Sequence, residues 1–188
     1  SIERYRNNAW SPFYVLQQTN FHEHLFTISD PLVPGKQGNS PDNIILQILE
    51  ATKGNMDRTG LTVGDDDWSY DRLFGAAIEL ARKLPAYKPV VAIYAARDAS
   101  ICVAILAALF AGGTYVPLNC RHPDARNCDI LRRSGAQVLL HGSQFSGAAS
   151  AIASGINIPT LSVCVERKTA LFSETDWSPP RVLPEDKA

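Results

Sequence analysis

From Val90 onward the chain is punctuated by four short apolar runs: Val90-Val91-Ala92-Ile93-Tyr94-Ala95, Thr114 to Leu118, Val138-Leu139-Leu140, and Thr160 to Val165. The first and third runs do not alternate polar with apolar positions, and the four together favour β-branched and aromatic residues. Such runs suit strands buried on both faces, as in a parallel sheet covered by helices. Helix signals fill the gaps between them. Asp98 caps the first helix, Ala99 to Ala111, which is apolar nearly all round and must pack on more than one side. Gly112 and Gly113 stop it. Pro123 and Asp124 open a second helix, which runs through Arg133 and closes at Gly135. A small-residue helix from about Phe145 to Ala153 is the third. Strand, helix, strand, helix in this rhythm predicts right-handed βαβ units, a mostly parallel sheet with flanking helices, and the α/β class.

Upstream the pattern is looser. Residues 1–39 are polar and aromatic, with Trp10, Phe13, Tyr14, Phe21 and Phe26 scattered without a period, and read as an extended arm or linker. Ser40-Pro41-Asp42 is a helix start, followed by Ile44, Ile45, Ile48 and Leu49 on one face and a stop at Gly54. Thr59 to Val63 and Asp67 to Ser69 predict a hairpin around Gly64-Asp65-Asp66. Ser69 is placed to cap a helix carrying Leu73, Ile78, Leu80, Ala81 and Leu84, with Pro85 as its stop. Residues 40–188 form one structural unit, with a loop-like tail from Lys168 to Ala188.

Composition narrows the function classes. The chain has 188 residues, enough for a real core. Its net charge of -1 provides no field for nucleic acid or acidic lipid, and no apolar run is long enough to span a membrane. No secretory signal is visible. The four cysteines, Cys102, Cys120, Cys128 and Cys164, form no CxxC pair. They read as reduced, mostly buried thiols in a cytoplasmic protein.

Two segments carry a family resemblance. Trp68-Ser69-Tyr70-Asp71-Arg72-Leu73 resembles the first core motif of adenylate-forming enzymes, LTYxEL. Ala111-Gly112-Gly113-Thr114-Tyr115-Val116-Pro117-Leu118-Asn119 resembles the second, AGxAYVPLD. Physically, Gly112 suits a positive φ after the helix, and Gly113 permits close packing where the strand begins. Pro117 is expected to end the ladder and release the chain. Tyr115 is expected in the core rather than on a ligand. The similarity continues through His122-Pro123, Arg126 and Ser134-Gly135-Ala136-Gln137-Val138-Leu139-Leu140, which look like the YPxxR and SGAxxLL stretches of amino-acid-activating adenylation domains. Arg72, where Glu is common, and Asn119, where Asp is commoner, are departures.

The resemblance implies the incomplete N-terminal subdomain of an adenylate-forming enzyme. Adenylation domains of nonribosomal peptide synthetases are the first match, and the acyl-CoA ligase branch is the second. Enzymes of this kind use ATP and magnesium to convert a carboxylate, here favoured to be an amino acid, into an acyl-adenylate. The acyl group then passes to a carrier-protein phosphopantetheine or to coenzyme A. The family's third core motif, roughly YTSGSTGxPKG, cradles phosphates with backbone N–H groups and a lysine. Nothing of that composition occurs here. The expectation is therefore that this chain alone binds no cofactor or metal and holds no catalytic residue. Its partners are the remainder of the adenylation domain and, through it, the thiol acceptor. Exposed edges left by the missing part predict self-association.

Other readings remain. A truncated domain serving as a scaffold or interaction module fits the aromatic arm. An unrelated doubly wound nucleotide-binding protein fits the βαβ rhythm, though no GxGxxG fingerprint is present. His22 and His24 are expected as solvated imidazoles, Asp65-Asp66-Asp67 as a solvated turn, and His122 and His141 in surface or cap roles. Arg126, Arg132 and Arg133 read as a solvated helix face without the interleaved aromatics of a nucleic-acid interface.

Overall fold

The computed structural model describes residues 26–27, 44–85, 88–165 and 172. In chain order the elements are β1 (Phe26–Thr27), α1 (Ile44–Thr52), β2 (Thr59–Val63), β3 (Asp66–Ser69), α2 (Tyr70–Ala81) and β4 (Val90–Tyr94). They continue with α3 (Ala99–Phe110), β5 (Thr114–Pro117), α4 (Asp124–Ser134), β6 (Val138–Gly142), α5 (Ser146–Ser154) and β7 (Thr160–Val163). A single 3-10 turn, Ser143–Phe145, links β6 to α5.

Strands β4 to β7 form the anticipated parallel sheet, in the order β5-β4-β6-β7. Strands β1, β2 and β3 form a separate antiparallel sheet in that order. Strand periodicity sorts the core into two layers. Val91 and Ile93 face one side with α2 and α3, while Ala92 and Tyr94 face the other with Leu131 of α4 and Ile152 of α5. Helix α3 buries ten of its twelve residues. It lies between the sheet and α2, and this double packing explains its apolar surface on every side.

Local signals hold in several places. The Asp98 carboxylate accepts from the Ser100 N–H at 2.9 Å, capping α3. Gly112 has φ +68°, the left-handed value that suits it to the helix stop. A Cβ on Gly113 would collide with the carbonyl oxygen of Pro89, which itself accepts from the Thr114 N–H. The close approach of β4 and β5 therefore requires glycine there. Gly135, also at φ +68°, closes α4.

Four details differ from the sequence expectations. Pro117 does not end the ladder, because the Leu118 N–H donates to the Ile93 carbonyl at 2.8 Å. Thr114 and Leu118 point their N–H groups at β4, and the period of two turns position 117 outward. The missing N–H thus falls on the free side of a strand that is an edge among the described residues. Ser69 sits at the N-cap position of α2, but its hydroxyl donates to the Asp71 carboxylate at 2.7 Å rather than accepting from the helix. A serine cap works best with a glutamate three residues on, reaching back to the cap N–H. Arg72 occupies that place, so the reciprocal pair cannot form. Helix α2 ends at Ala81, ahead of Pro85, because Pro85 disfavours helical geometry at Leu84. The thiols are not mostly buried: Cys102 is, Cys120 and Cys128 are half-buried, and Cys164 is exposed.

The Ser40-Pro41-Asp42 start, the arm apart from β1, His22, His24, and the tail apart from Phe172 lie outside the described residues. No helix among the described residues is long and apolar enough to cross a membrane. Ile44 is the only large hydrophobic residue exposed among them.

Candidate functional site

After β4 the chain turns to β5 on one side, then returns to place β6 on the other. Strand order therefore reverses between β4 and β6, and such reversals open ligand crevices at the carboxyl ends of strands. A crevice of about 420 Å³ lies there, between the start of α3, the ends of β6 and β7, and the β2–β3 hairpin. Asp98 binds its two main walls together. One oxygen accepts from the Ser100 N–H and hydroxyl, and the other accepts from the Gln144 amide at 3.0 Å. Asp98 was legible as a cap. Gln144 was not, because only the tertiary fold brings a residue 46 positions away to it.

The hairpin wall carries Asp66 and Trp68. The Trp68 indole N–H donates to Asp66 at 3.0 Å, and the Arg72 guanidinium lies over the indole ring with its carbon 3.4 Å from the centroid. Arg72 Nη1 donates to the Asp67 carbonyl at 3.3 Å and lies 3.7 Å from the Asp66 carboxylate. Asp65 and Asp67 are exposed, as a solvated turn implies, while Asp66 is also tied to Trp68 and Arg72. No group of three or more potential metal ligands occurs among the described residues.

Electrostatically the crevice is acidic. Its described lining includes Asp66 and Asp98 but no lysine or arginine. The first turn of α3 already holds the Asp98 carboxylate, which occupies the place an anion would take at a helix N-terminus. Burial, with a smaller push from the Asp98 charge, raises Cys102 to about 12. Burial, then the Asp98 charge, also raises Cys120 against its own backbone hydrogen bond. Tyr94 is raised by burial, then by Cys120 and Asp124.

We expect Asp98→Ala to cost about 1–2 kcal/mol, since both the cap and the Gln144 bridge are lost. Urea midpoints of the variant and of Gln144→Ala separate the two contributions. A loss confined to Gln144→Ala counts against the cap.

The two motif segments meet through aromatic rings. Trp68, Tyr70 and Leu73 are buried where β3 enters α2, and Phe74 in the next turn contacts Phe110 edge-on at 5.8 Å. Phe110 directly precedes Ala111, the cap of α3, and the Gly112-Gly113 stop. Tyr115 is half-buried against the same core, and Val116 is half-buried. Leu118 is buried, and Asn119 begins a polar loop.

Within that loop, the Asn119 side-chain oxygen accepts from the Arg121 N–H at 2.9 Å. The Asn119 carbonyl accepts from the fully buried Asn127 amide at 3.0 Å. His122 Nε2 lies 3.4 Å from the Asn119 amide nitrogen. The Arg121 contact orients the Asn119 amide, so its nitrogen faces the imidazole. Asn127 carried no sequence signal, since its role depends on the α4 turn swinging it back under the loop. His141 is buried inside β6, its Nδ1 3.0 Å from the Gly142 carbonyl, and is not a surface group. Pro123 precedes α4, Arg126, Arg132 and Arg133 are exposed, and the Ser134 hydroxyl donates to the Leu131 carbonyl at 3.0 Å.

Comparison with known proteins agrees with this arrangement. The family model for AMP-binding enzymes matches residues 48–187. A plipastatin synthase component from Bacillus subtilis (strain 168) is 38% identical over 98 residues, covering 50% of this chain and 4% of that protein. A linear gramicidin synthase component from Brevibacillus parabrevis is 34% identical over 112 residues, covering 57% of this chain and 2% of that protein. The chain therefore spans only a small part of the curated relatives it matches. Among solved structures, an anthranilate CoA ligase, AuaEII, in complex with anthranoyl-AMP superposes with a TM-score of 0.56 at 17% identity. It covers 62% of this chain and 24% of that one, a likeness of fold alone. The family model takes in both motif segments, the crevice strands and the four-stranded parallel sheet, and the chain accordingly belongs to the AMP-binding enzyme family of adenylate-forming ligases.

Proposed function

We propose that this chain is the N-terminal part of an adenylation domain that activates an amino acid as its acyl-adenylate, working in the cytoplasm. The observation that carries this reading is the helix–Gly-Gly–strand–proline unit, folded from Phe110 to Leu118 and packed on the first motif through Phe74. The peptide synthases matched at 34–38% identity favour an amino acid over an aryl or fatty acid. Family membership removes the unrelated nucleotide-binding reading.

In this proposal the chain supplies scaffold rather than chemistry. The carboxylate attack on the α-phosphorus needs cations and backbone donors for the triphosphate and magnesium. The described crevice offers carboxylates instead. The remainder of the domain would supply the phosphate cradle, and a carrier-protein thiol would take the acyl group. The chain is further proposed to self-associate through exposed strand edges.

Two measurements test this reading. Amino-acid-dependent ATP–pyrophosphate exchange by the isolated chain is expected to stay at background. A signal that tracks protein concentration and survives repurification overturns the scaffold assignment. The parent reading frame is expected to encode a Gly/Ser/Thr-rich loop ending in lysine beyond Ala188. A stop codon there favours the interaction-module reading.

A further inference from the structure

Two polar atoms beneath the loop between β5 and α4 are closed to solvent and have no hydrogen-bond partner among the described residues: Nδ1 of His122 and Oδ1 of Asn127. Asn127 is fully buried in the first turn of α4, so bulk solvent does not reach it. Buried polar atoms are nearly always paired, and an orphan calls for an explanation.

Turning the Asn127 amide over does not remove its orphan. The amide nitrogen donates to the Asn119 carbonyl at 3.0 Å, and a flipped amide would set two acceptors against each other there. The Asn119 side-chain oxygen accepts from the Arg121 N–H at 2.9 Å, which leaves the Asn119 amide nitrogen 3.4 Å from Nε2 of His122. That nitrogen has only hydrogens to offer. A neutral imidazole meets it best with Nε2 as the acceptor and the proton on Nδ1. The two orphans then have opposite needs: Nδ1–H lacks an acceptor, and Oδ1 lacks a donor. They also share an anchor. The Asn119 carbonyl accepts from the His122 backbone N–H at 3.0 Å and from the Asn127 amide at 3.0 Å. Both residues thus converge on one oxygen. No hydrogen bond joins the orphans directly. A single water, which both accepts and donates, has the chemistry to serve the two together.

We propose that one buried water sits between His122 and Asn127, accepting from Nδ1–H of the first and donating to Oδ1 of the second. It ties the loop after β5 to the first turn of α4 and holds the imidazole as the neutral Nδ1–H tautomer. The site is independent of the proposed function, since the loop would close in the same way with or without adenylation chemistry.

NMR on the complete 188-residue chain, labelled with ¹⁵N and ¹³C, tests both halves of the proposal. Long-range ¹H–¹⁵N spectra in mildly alkaline solution report which ring nitrogen carries the proton. The His122 pattern is assigned by its loss in His122→Phe or His122→Gln. Nδ1 is expected to be protonated, and a ring protonated on Nε2 instead overturns the proposal. Water–protein cross-relaxation gives the second reading. A long-lived water is expected to show a cross-peak to the Asn127 side-chain amide. That cross-peak should be lost in His122→Phe and kept in Arg126→Gln, a change on the exposed face of α4. Its absence from the unsubstituted chain overturns the water site, as does its persistence in His122→Phe. The two readings on the unsubstituted chain decide the matter even where His122→Phe does not fold.

Discussion

Phe74→Ala is expected to lower unfolding free energy by about 3–5 kcal/mol, the usual cost of emptying a phenylalanine site in a core that cannot collapse. Phe74 has no exposed surface and contacts three other rings. Tyr70 lies at 5.8 Å, Phe110 at 5.8 Å and 70°, and Phe172 at 6.0 Å and 87°. Each such pair adds about 0.5–1.5 kcal/mol beyond the buried area. The rings come from α2, from the end of α3 and from the segment after β7, so a void there uncouples three parts of the chain. A small domain has about 5–15 kcal/mol in total, so the variant should be close to unfolding at physiological temperature. Urea titration followed through the buried Trp68 measures the loss, and Phe74→Leu should recover more than half of it. A loss under about 1 kcal/mol for the alanine variant contradicts this account of the core.

The second large effect is alkaline. Burial raises the Cys102 thiol from 9.0 to about 12, so the folded state keeps the proton that the unfolded state releases. Below pH 9 both states are protonated and the thiol contributes no pH dependence. Above it the unfolded state gains by ionising, and stability falls by about 1.4 kcal/mol per pH unit until the folded value is reached. Between pH 9 and 10.5 this amounts to about 2 kcal/mol. Cys102→Ala should flatten that part of the profile. Some slope should remain, because Cys120 and Tyr94 are raised in the same direction. Equal slopes for the two proteins over this range would show that Cys102 is not held as a buried neutral thiol.

Much of the fold, and within the crevice the Asp98 cap, was legible because it is written in local rules. The Asp98 cap, the positive φ at Gly112 and the closure at Gly135 follow from backbone geometry that few residues tolerate. The strands of the parallel sheet follow from continuous apolar runs. Rules about single residues failed where a neighbour across the fold decided the outcome. Pro117 was expected to break the ladder, but whether a missing N–H matters depends on which side of the strand has a partner. Ser69 was expected to cap, but its hydroxyl found the Asp71 carboxylate in the absence of a reciprocal glutamate. His141 was placed near a surface because it follows an apolar run, whereas pairing with β4 and β7 carries the strand through it.

By itself the sequence determined the order of elements from α1 onward, the glycine stops of α3 and α4, and the family resemblance, because helix caps, glycine turns and apolar periodicity act over a few residues. Tertiary structure alone decided which distant groups share a site: Gln144 with Asp98, Asn127 under Asn119, and Arg72 over Trp68. Hydrogen bonds and ring stacking act over only a few ångströms. Groups 46 positions apart, such as Gln144 and Asp98, come within that range only after the sheet has chosen its strand order.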